Sequence, residues 1–220
     1  MCLTPHFCCK GYSLSFDQRF WKRTVDLLIA VPLTILLSPI MLLVAFAIKC
    51  CDGGPVFYRQ VRCTKDNREF SILKFRSMIV DAEKSGEAVL AKEHDERITP
   101  VGRFLRAVRL DELPQLFNVL SGDMSLVGPR PERPEIIAEY QKEMPEFVFR
   151  TRVKAGVTGF AQIYGKYNTV PYDKLKLDLT YIRNYSLLLD LKLILMTPKI
   201  MMLKESTEGV ADNGKASDSR

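Results

Sequence analysis

Between Val25 and Ile48 the chain reads VDLLIAVPLTILLSPIMLLVAFAI, a segment that is almost wholly apolar. At about 1.5 Å per residue, a helix of this length can cross a hydrocarbon core of about 30 Å. The chain continues with Lys49-Cys50-Cys51 and offers no small-residue cleavage site, so a secretory signal peptide is disfavoured. The segment therefore predicts a membrane-embedded helix.

The middle of this segment is interrupted by Ser38-Pro39, and Pro32 lies about two turns earlier. Proline lacks a backbone donor and clashes with the preceding turn, so it kinks or breaks a helix. Basic residues flank both ends, which favours keeping both ends in the cytoplasm. Two topologies stay open on the residues alone: a kinked helix that crosses the membrane, and a re-entrant hairpin whose halves meet at Ser38-Pro39. The flanking basic residues are Arg19, Lys22, Arg23 and Lys49.

The composition narrows the possible functions. The 220 residues allow one domain with its own core. A net charge of +6 suits anionic lipid headgroups or phosphorylated substrates, whereas no nucleic-acid-binding module is recognisable. Six cysteines without a Cys-x-x-Cys pair and only two histidines predict neither a disulfide framework, nor a zinc site, nor a histidine base. Walker and nucleophile-elbow motifs are also absent from the sequence.

A second informative stretch, from Arg109 to Leu120, reads RLDELPQLFNVL and places the carboxylates Asp111 and Glu112 before an apolar helical pattern. Asp111 fits an N-cap, and Gly122 lies where the helix would end. A helix N-terminus attracts anions, so the pair suits phosphate chemistry; an ordinary cap with surface ion pairs is the alternative. The predicted buried face comprises Leu113, Leu116, Phe117 and Leu120. The nearby arginines are Arg103, Arg106, Arg109 and Arg130.

The remaining elements are short. Strands are predicted at 56–62 and 70–78, joined as a hairpin by a polar turn. On the second strand Lys74 and Arg76 share one face, as a phosphate clamp or as a solvated strand end. The glycines at 156 and 159 indicate a close backbone approach. Helices are predicted at 100–106, at 132–142, from 171 onwards and, as an interfacial amphipathic helix, at 187–203, with a charge-rich connection at 79–99.

Taken together, these motifs resemble the bacterial sugar transferase family, the monotopic phosphoglycosyl transferases. The resemblance runs from about residue 16 to 203. The motifs that carry it are Lys22-Arg23, Ser38-Pro39, Lys74-Phe75-Arg76-Ser77-Met78, Asp111-Glu112-Leu113-Pro114-Gln115 and GDMSLVGPRP at 122–131.

The resemblance implies an activity and a set of roles. Family members transfer a phosphosugar from a UDP-sugar to polyprenyl (undecaprenyl) phosphate, release UMP and start surface polysaccharide or glycoconjugate synthesis. Carried over, Asp111 is the nucleophile of a covalent aspartyl intermediate and a ligand of Mg²⁺, and Glu112 is its partner. A carboxylate can attack phosphorus once Mg²⁺ and cations neutralise the diphosphate. The expected substrate-binding residues are Lys74, Arg76, Arg130, Lys166 and Asp178, the last with a helix-surface ion pair as its alternative.

The chain departs from the family pattern in one loop. Ala155 replaces a usual proline, Phe160 a usual tryptophan, and Lys166 stands where many members carry arginine. Lysine lacks the bidentate fork of arginine, so the nucleotide-side contact is expected to differ.

The resemblance favours the re-entrant topology, because family members keep both ends of the broken hairpin on the cytoplasmic face. The expected fold is therefore a membrane-associated α+β fold with an N-terminal re-entrant helix hairpin, a small β-hairpin and several short and interfacial amphipathic helices. Its expected parts are a cytoplasmic or interfacial segment (1–24), the re-entrant membrane helix (25–48), a cytoplasmic catalytic domain (49–203) and a disordered tail (204–220). The resemblance implies the cytoplasmic face of the bacterial inner membrane. The expected partners are a UDP-sugar, polyprenyl phosphate, membrane lipids, a second copy of the chain and downstream glycosyltransferases, but no nucleic acid. The alternative function is a non-catalytic membrane-surface scaffold of a glycan assembly complex.

Overall fold

The computed structural model describes residues 14–80, 95–165 and 170–201. They form an α+β fold in which one long N-terminal helix packs along a small domain of short helices and two two-stranded sheets. Lys166, the tail, the first 13 residues and most of the 79–99 connection lie outside the described residues. The helices are α1 (Phe16–Asp52), α2 (Pro100–Ala107), α3 (Gln115–Ser121), α4 (Pro134–Glu143), α5 (Phe160–Tyr164), α6 (Pro171–Arg183) and α7 (Leu187–Met201). The strands are β1 (Phe57–Cys63), β2 (Glu69–Phe75), β3 (Ser125–Val127) and β4 (Gly156–Thr158), and 3₁₀ helices cover Lys65–Asn67, Leu110–Glu112 and Pro145–Arg152.

The predicted membrane helix is present as the central part of α1. It is longer than predicted, and it is one continuous helix that is not divided into two at Ser38-Pro39. Pro39 leaves the carbonyl of Ile35 without its usual donor, and the Ser38 hydroxyl donates to that carbonyl at 2.8 Å. This local replacement explains how the helix continues past the proline. α1 is long and apolar enough to cross a membrane, by length and composition only.

One stripe of α1 packs against the domain along nearly its whole length. The buried positions recur every three or four residues at each end, and Leu33 and Leu37 pack against the core between them. The opposite face is exposed and apolar. The buried residues are Lys22, Asp26, Ala30, Met41, Val44 and Ile48. The exposed ones include Leu28, Val31, Ile35, Leu36, Ile40, Leu42, Leu43 and Phe46.

The predicted β-hairpin is confirmed. β1 and β2 pair antiparallel, with Phe57 opposite Phe75 and Cys63 opposite Glu69. β2 ends at Phe75, three residues earlier than predicted. Phe70 and Ile72 enter the main core, whereas Phe75 packs in a second cluster with the C-terminal half of α1.

The predicted close approach of glycine backbone is also confirmed. β4 lies parallel to β3, and Gly156 donates its N–H to the carbonyl of Pro129 at 2.9 Å. A side-chain carbon at Gly156 or Gly159 would overlap the backbone of Gly128. The small β3–β4 sheet therefore holds the loop that begins at Gly128.

The helix predicted after the acid pair begins later than expected. Asp111 lies in the 3₁₀ helix Leu110–Glu112, so its predicted N-cap role is wrong, and α3 starts at Gln115 after Pro114. This shift rotates the buried face: Phe117 is 43% exposed, against prediction, while Asn118 is buried. Asn118 is buried because its amide bonds the β2 backbone, accepting from the N–H of Leu73 and donating to the carbonyl of Ser71, each at 2.9 Å. The end of α3 at Gly122, with φ of 89°, is as predicted.

The other helices lie close to their predicted positions. Leu175 and Ile182 are buried on one face of α6. On α7, Leu193 is fully buried whereas Leu188 and Leu195 are each 79% exposed. That division fits the amphipathic pattern predicted for this segment.

Candidate active site

The acid pair occupies a turn between two helices. α2 ends at Ala107, and Arg109, with a left-handed φ of 59°, turns the chain into the 3₁₀ helix that carries Asp111 and Glu112. Asp111 is only 9% exposed, and the Glu112 side chain only 14%. The two neighbouring carboxyl groups therefore lie in a largely desolvated place.

Glu112 is held by two cations from different parts of the chain. Lys74 Nζ, from β2, donates to its Oε1 at 2.9 Å, and Arg130 Nη2, from the loop after β3, donates to the same oxygen at 2.6 Å. Burial opposes ionisation of Glu112, but the charges and hydrogen bonds of Arg130 and Lys74 outweigh it and hold its pKa well below the ordinary value. Glu112 is therefore an ionised group in a fixed position.

Asp111 has a different environment. Burial raises its pKa, and so does the neighbouring Glu112 charge, while Lys74, Arg106 and Arg130 partly oppose the rise. Within the part of the chain that the structure describes, the Asp111 carboxylate makes no hydrogen bond or ion pair. The two acids therefore differ: Glu112 is an ionised group held by two cations, and Asp111 is the carboxyl available to react. Neighbouring acids in different environments commonly take different roles.

Arg106 is a cation near the pair that the sequence interpretation did not assign to substrate binding. It lies five residues before Asp111 on α2, and its charge favours ionisation of Asp111. Among the described residues it forms no ion pair with an acidic group. Its helical spacing from Arg103 was visible in the sequence, but its orientation towards the turn was not. Arg106 is therefore a candidate for binding an anion beside Asp111.

The loop that carries Arg130 is supported from behind by a buried ion pair. Arg150 Nη2 donates to the backbone carbonyl of Arg130 at 3.0 Å, and Arg150 also bonds Asp178 through Nη2 at 2.8 Å and Nε at 3.1 Å. Asp178 is 2% exposed. Burial raises the pKa of Asp178, and Arg150 opposes that rise. The structure therefore places Asp178 behind the Arg130 loop, in a buried ion pair rather than on a helix surface.

Lys74 and Arg76 do not act on the same partner. Arg76 forms a bidentate ion pair with Asp52 at the end of α1, with Nη1 to Oδ2 at 2.6 Å, and its Nε donates to the carbonyl of Pro55 at 2.6 Å. Of the predicted binding residues, Lys74 and Arg130 reach the acid pair, whereas Arg76 joins the hairpin to α1. The role of Arg76 in substrate binding stays a prediction, as does that of Lys166.

The described residues offer too few ligands to bind Mg²⁺ alone, but they can bind it together with the phosphates of a substrate. No group of three or more His, Cys, Asp or Glu side chains that could hold a metal occurs in residues 14–80, 95–165 or 170–201. Mg²⁺ is commonly bound by one or two carboxylates, with water and substrate phosphates completing the shell. The free carboxylate of Asp111 suits that role, because Glu112 is already occupied by two cations.

Comparison with known proteins identifies the family. The family described as bacterial sugar transferase matches residues 17–204. The chain belongs to this family. The match covers α1, both sheets and the acid pair, so the resemblance inferred from the short motifs is confirmed.

Several members of the bacterial sugar transferase family are similar to the chain at about the same level. A UDP-N-acetylgalactosamine-undecaprenyl-phosphate N-acetylgalactosaminephosphotransferase from Aeromonas hydrophila is 43% identical over 83% of the chain and 44% of its own length. An undecaprenyl-phosphate glucose phosphotransferase from Komagataeibacter xylinus is 46% identical over 81% of the chain and 35% of its own length. A UDP-glucose:undecaprenyl-phosphate glucose-1-phosphate transferase from Caulobacter vibrioides is 42% identical over 80% of the chain and 67% of its own length. The chain thus spans less than half the length of the first two.

Proposed function

We propose that the chain transfers a phosphosugar from a UDP-sugar to polyprenyl phosphate, with release of UMP, through a covalent intermediate on Asp111. The family and the names of its relatives support the reaction class. The observation that carries the assignment to Asp111 is the division of the acid pair: Glu112 is held between Lys74 and Arg130, whereas Asp111 bonds no side chain among the described residues.

The proposed reaction has two displacement steps. In the first, an Asp111 carboxylate oxygen attacks the β-phosphorus of the UDP-sugar, the bond between that phosphorus and the bridging oxygen breaks, and UMP leaves with the bond's electrons. In the second, a phosphate oxygen of the polyprenyl phosphate attacks the same phosphorus, and the Asp111 carboxylate leaves. Two displacements at phosphorus by way of an acyl phosphate divide one difficult transfer into two easier ones.

Charge neutralisation is the main demand of this reaction on the protein. An anionic nucleophile approaching a diphosphate is repelled, and catalysis of phosphoryl transfer rests on positioning and electrostatic stabilisation. When bound, Mg²⁺ supplies positive charge at the diphosphate and favours the ionised form of Asp111. Arg130 and Lys74 orient Glu112, and Arg106 adds a positive charge close to Asp111.

The packing of α2 supports a lipid acceptor. Leu105 of α2 is 2% exposed and packs with Met41, Val44 and Ile48, which lie on the C-terminal half of the apolar helix α1. Arg106 follows Leu105 directly, and the chain then turns to Asp111. α2 therefore links the apolar helix α1 to the turn that carries Asp111, an arrangement that suits an acceptor phosphate arriving from the lipid around α1.

The contacts of the two halves of α1 with one domain support a monotopic arrangement, in which both ends of α1 lie on the same side of the membrane. A helix that crosses a bilayer separates its ends by about 30 Å of hydrocarbon. Here Asp26 near one end bonds Leu126 of the domain, and Asp52 at the other end bonds Arg76 of the same domain. These contacts favour a topology in which both ends of α1 lie at the cytoplasmic face of the inner membrane, although α1 itself continues past Ser38-Pro39 without a turn. A homodimer and contacts with downstream glycosyltransferases stay predictions.

The direct test measures UMP release by the full chain in lipid nanodiscs supplied with Mg²⁺, polyprenyl phosphate and a panel of UDP-sugars. The proposal expects turnover with at least one donor, loss of turnover in Asp111→Asn, and little change in the control Asp173→Asn, whose carboxylate is exposed on α6. Full activity in Asp111→Asn would contradict the proposed nucleophile. Absence of turnover with every donor would favour the scaffold alternative.

A further inference from the structure

Two charged residues near the start of α1 bond backbone groups on either side of the candidate active site. The first is Arg23, whose Nη1 donates to the carbonyl of Val119 at 2.6 Å and whose Nη2 donates to the carbonyl of Leu120 at 2.9 Å. Both carbonyls lie in the last turn of α3, where a cation interacts favourably with the helix dipole; the Val119 carbonyl also accepts from the backbone N–H of Gly122. Arg23 thus caps the helix that follows Glu112.

The second residue is Asp26, which lies three positions further along α1 and so on the same side of it. Its Oδ1 accepts a hydrogen bond of 3.0 Å from the backbone N–H of Leu126, the central residue of β3, and the Asp26 side chain is buried. β4 pairs with β3 through Ser125 and Val127, so Leu126 offers its N–H to the opposite side. The Asp26 carboxylate therefore accepts the Leu126 N–H, which would otherwise be free to pair with a further strand.

The two contacts join α1 to the two segments, α3 and β3, that flank the acid pair and Arg130. α3 begins three residues after Glu112, and Arg130 lies three residues after the end of β3. Glu112 and Arg130 are joined by their 2.6 Å ion pair, while Arg23 and Asp26 hold the other ends of the same two segments. We propose that Arg23 and Asp26 are positioning residues that set the separation of α3 and β3, and through it the separation of the acid pair from Arg130. The apolar helix α1 then positions the active site in addition to anchoring the chain.

The chemistry of each contact predicts which substitutions preserve it. Asp26→Asn keeps an acceptor oxygen for the Leu126 N–H, whereas Asp26→Ala leaves that buried donor without a partner. Arg23→Lys keeps the charge at the end of α3 but lacks the planar fork that spans two carbonyls. Asp17 and Arg19 are exposed on the first turn of the same helix, so Asp17→Ala and Arg19→Ala are matched controls.

The test compares these full-chain variants in nanodiscs by two measurements. The first is hydrogen–deuterium exchange, which does not depend on activity. The inference expects faster exchange in both 109–121 and 123–131 for Asp26→Ala and for Arg23→Ala, near-wild-type exchange for Asp26→Asn, and no change in the two controls. Unchanged exchange in both segments, or a change confined to α1, would overturn it, as would equal effects of Asp26→Asn and Asp26→Ala.

The second measurement is kinetic and rests on the proposed function. Because a misplacement of about 1 Å can cost about 100-fold in rate, Asp26→Ala is expected to lower kcat at least about tenfold per folded molecule, with KM for the UDP-sugar changed less than about threefold. Asp26→Asn is expected to restore most of kcat, and Arg23→Lys to fall between Arg23→Ala and the wild type. A purely structural role would lower the unfolding temperature and leave kcat per folded molecule unchanged, which would overturn the inference. Failure of the proposed function would appear separately, as an inactive wild type, and the exchange measurement would then decide.

Discussion

Glu112 and Arg130 form a 2.6 Å ion pair that joins the acid pair to the loop after β3. The contact matters because it occupies Glu112, brings an arginine next to Asp111, and leaves the Asp111 carboxyl without an ion pair among the described residues. The loop end of this contact is fixed in turn by Arg150, which bonds the Arg130 carbonyl and Asp178. The local electrostatics of the site thus depend on residues from widely separated parts of the chain.

Replacement of Arg130 tests the importance of this contact. Arg130→Ala removes the ion pair with Glu112 and a positive charge beside Asp111, so kcat/KM for the UDP-sugar is expected to fall by about 100-fold or more, the range found when an electrostatic stabiliser is removed. Arg130→Lys is expected to recover only part, because lysine lacks the fork. UMP release measures both. The control is Arg183→Ala, at the exposed end of α6, and an equal loss there would contradict a specific role of Arg130.

The pH dependence tests the division of the acid pair. Asp111 must be ionised to attack, and its pKa is raised by burial and by the charge of Glu112. Since the shift is upward, kcat/KM is expected to rise with pH through an acid limb that lies above the ordinary aspartate pKa of 3.8. Glu112→Gln removes the neighbouring anion and releases Lys74 and Arg130, so the limb should move to lower pH while the maximal rate falls. A limb that stays in place or moves to higher pH in Glu112→Gln would contradict this account.

Metal removal separates a substrate-dependent Mg²⁺ site from a structural one. Because the described residues offer the metal no preformed cage, chelation is expected to abolish UMP release while the unfolding temperature of the donor-free protein stays within about 1 °C. Differential scanning fluorimetry in nanodiscs, with and without Mg²⁺, measures the second quantity. A large stabilisation by Mg²⁺ alone would show that the protein binds the metal without substrate and would contradict the assignment.

Much of the fold could be predicted from sequence because its signals are local. The apolar run predicted α1, alternation and a polar turn predicted the β1–β2 hairpin, and Gly122 marked the end of α3. The candidate site was predicted at the level of motifs, and the structure brings Lys74 and Arg130 to Glu112. The predicted phosphate clamp of Lys74 with Arg76 does not form in this arrangement, because Arg76 pairs with Asp52 instead.

The remaining features of the fold and the site depend on contacts between residues far apart in the sequence, which no local pattern predicts. Strand alternation places Arg76 on the same face as Lys74, but Arg76 pairs with Asp52, 24 residues away, which alternation cannot predict. Asn118 is buried because it bonds the β2 backbone, so the buried face of α3 is rotated from the predicted one and Phe117 is exposed. The bond from Asp26 to Leu126 joins residues 100 apart.

Accessibility labelling tests the arrangement of α1. Cys51, exposed at the C-terminal end of α1, and a cysteine introduced by Asp17→Cys at the N-terminal end report on the two ends. In variants that carry one of these cysteines alone, both are expected to react with a membrane-impermeant maleimide in inverted membrane vesicles and to be protected in intact spheroplasts. Reaction of the two positions from opposite sides would establish a crossing helix and contradict the monotopic topology.

The central claim is that Asp111 carries the phosphosugar during transfer. The most direct measurement incubates the full chain in nanodiscs with Mg²⁺ and a UDP-sugar labelled at the β-phosphate, without acceptor, and then locates the label by peptide mapping. The account predicts label on the peptide that contains Asp111, its loss when polyprenyl phosphate is added, and no label in Asp111→Asn. Turnover by a wild type that retains no label, or label that persists in Asp111→Asn, would contradict it.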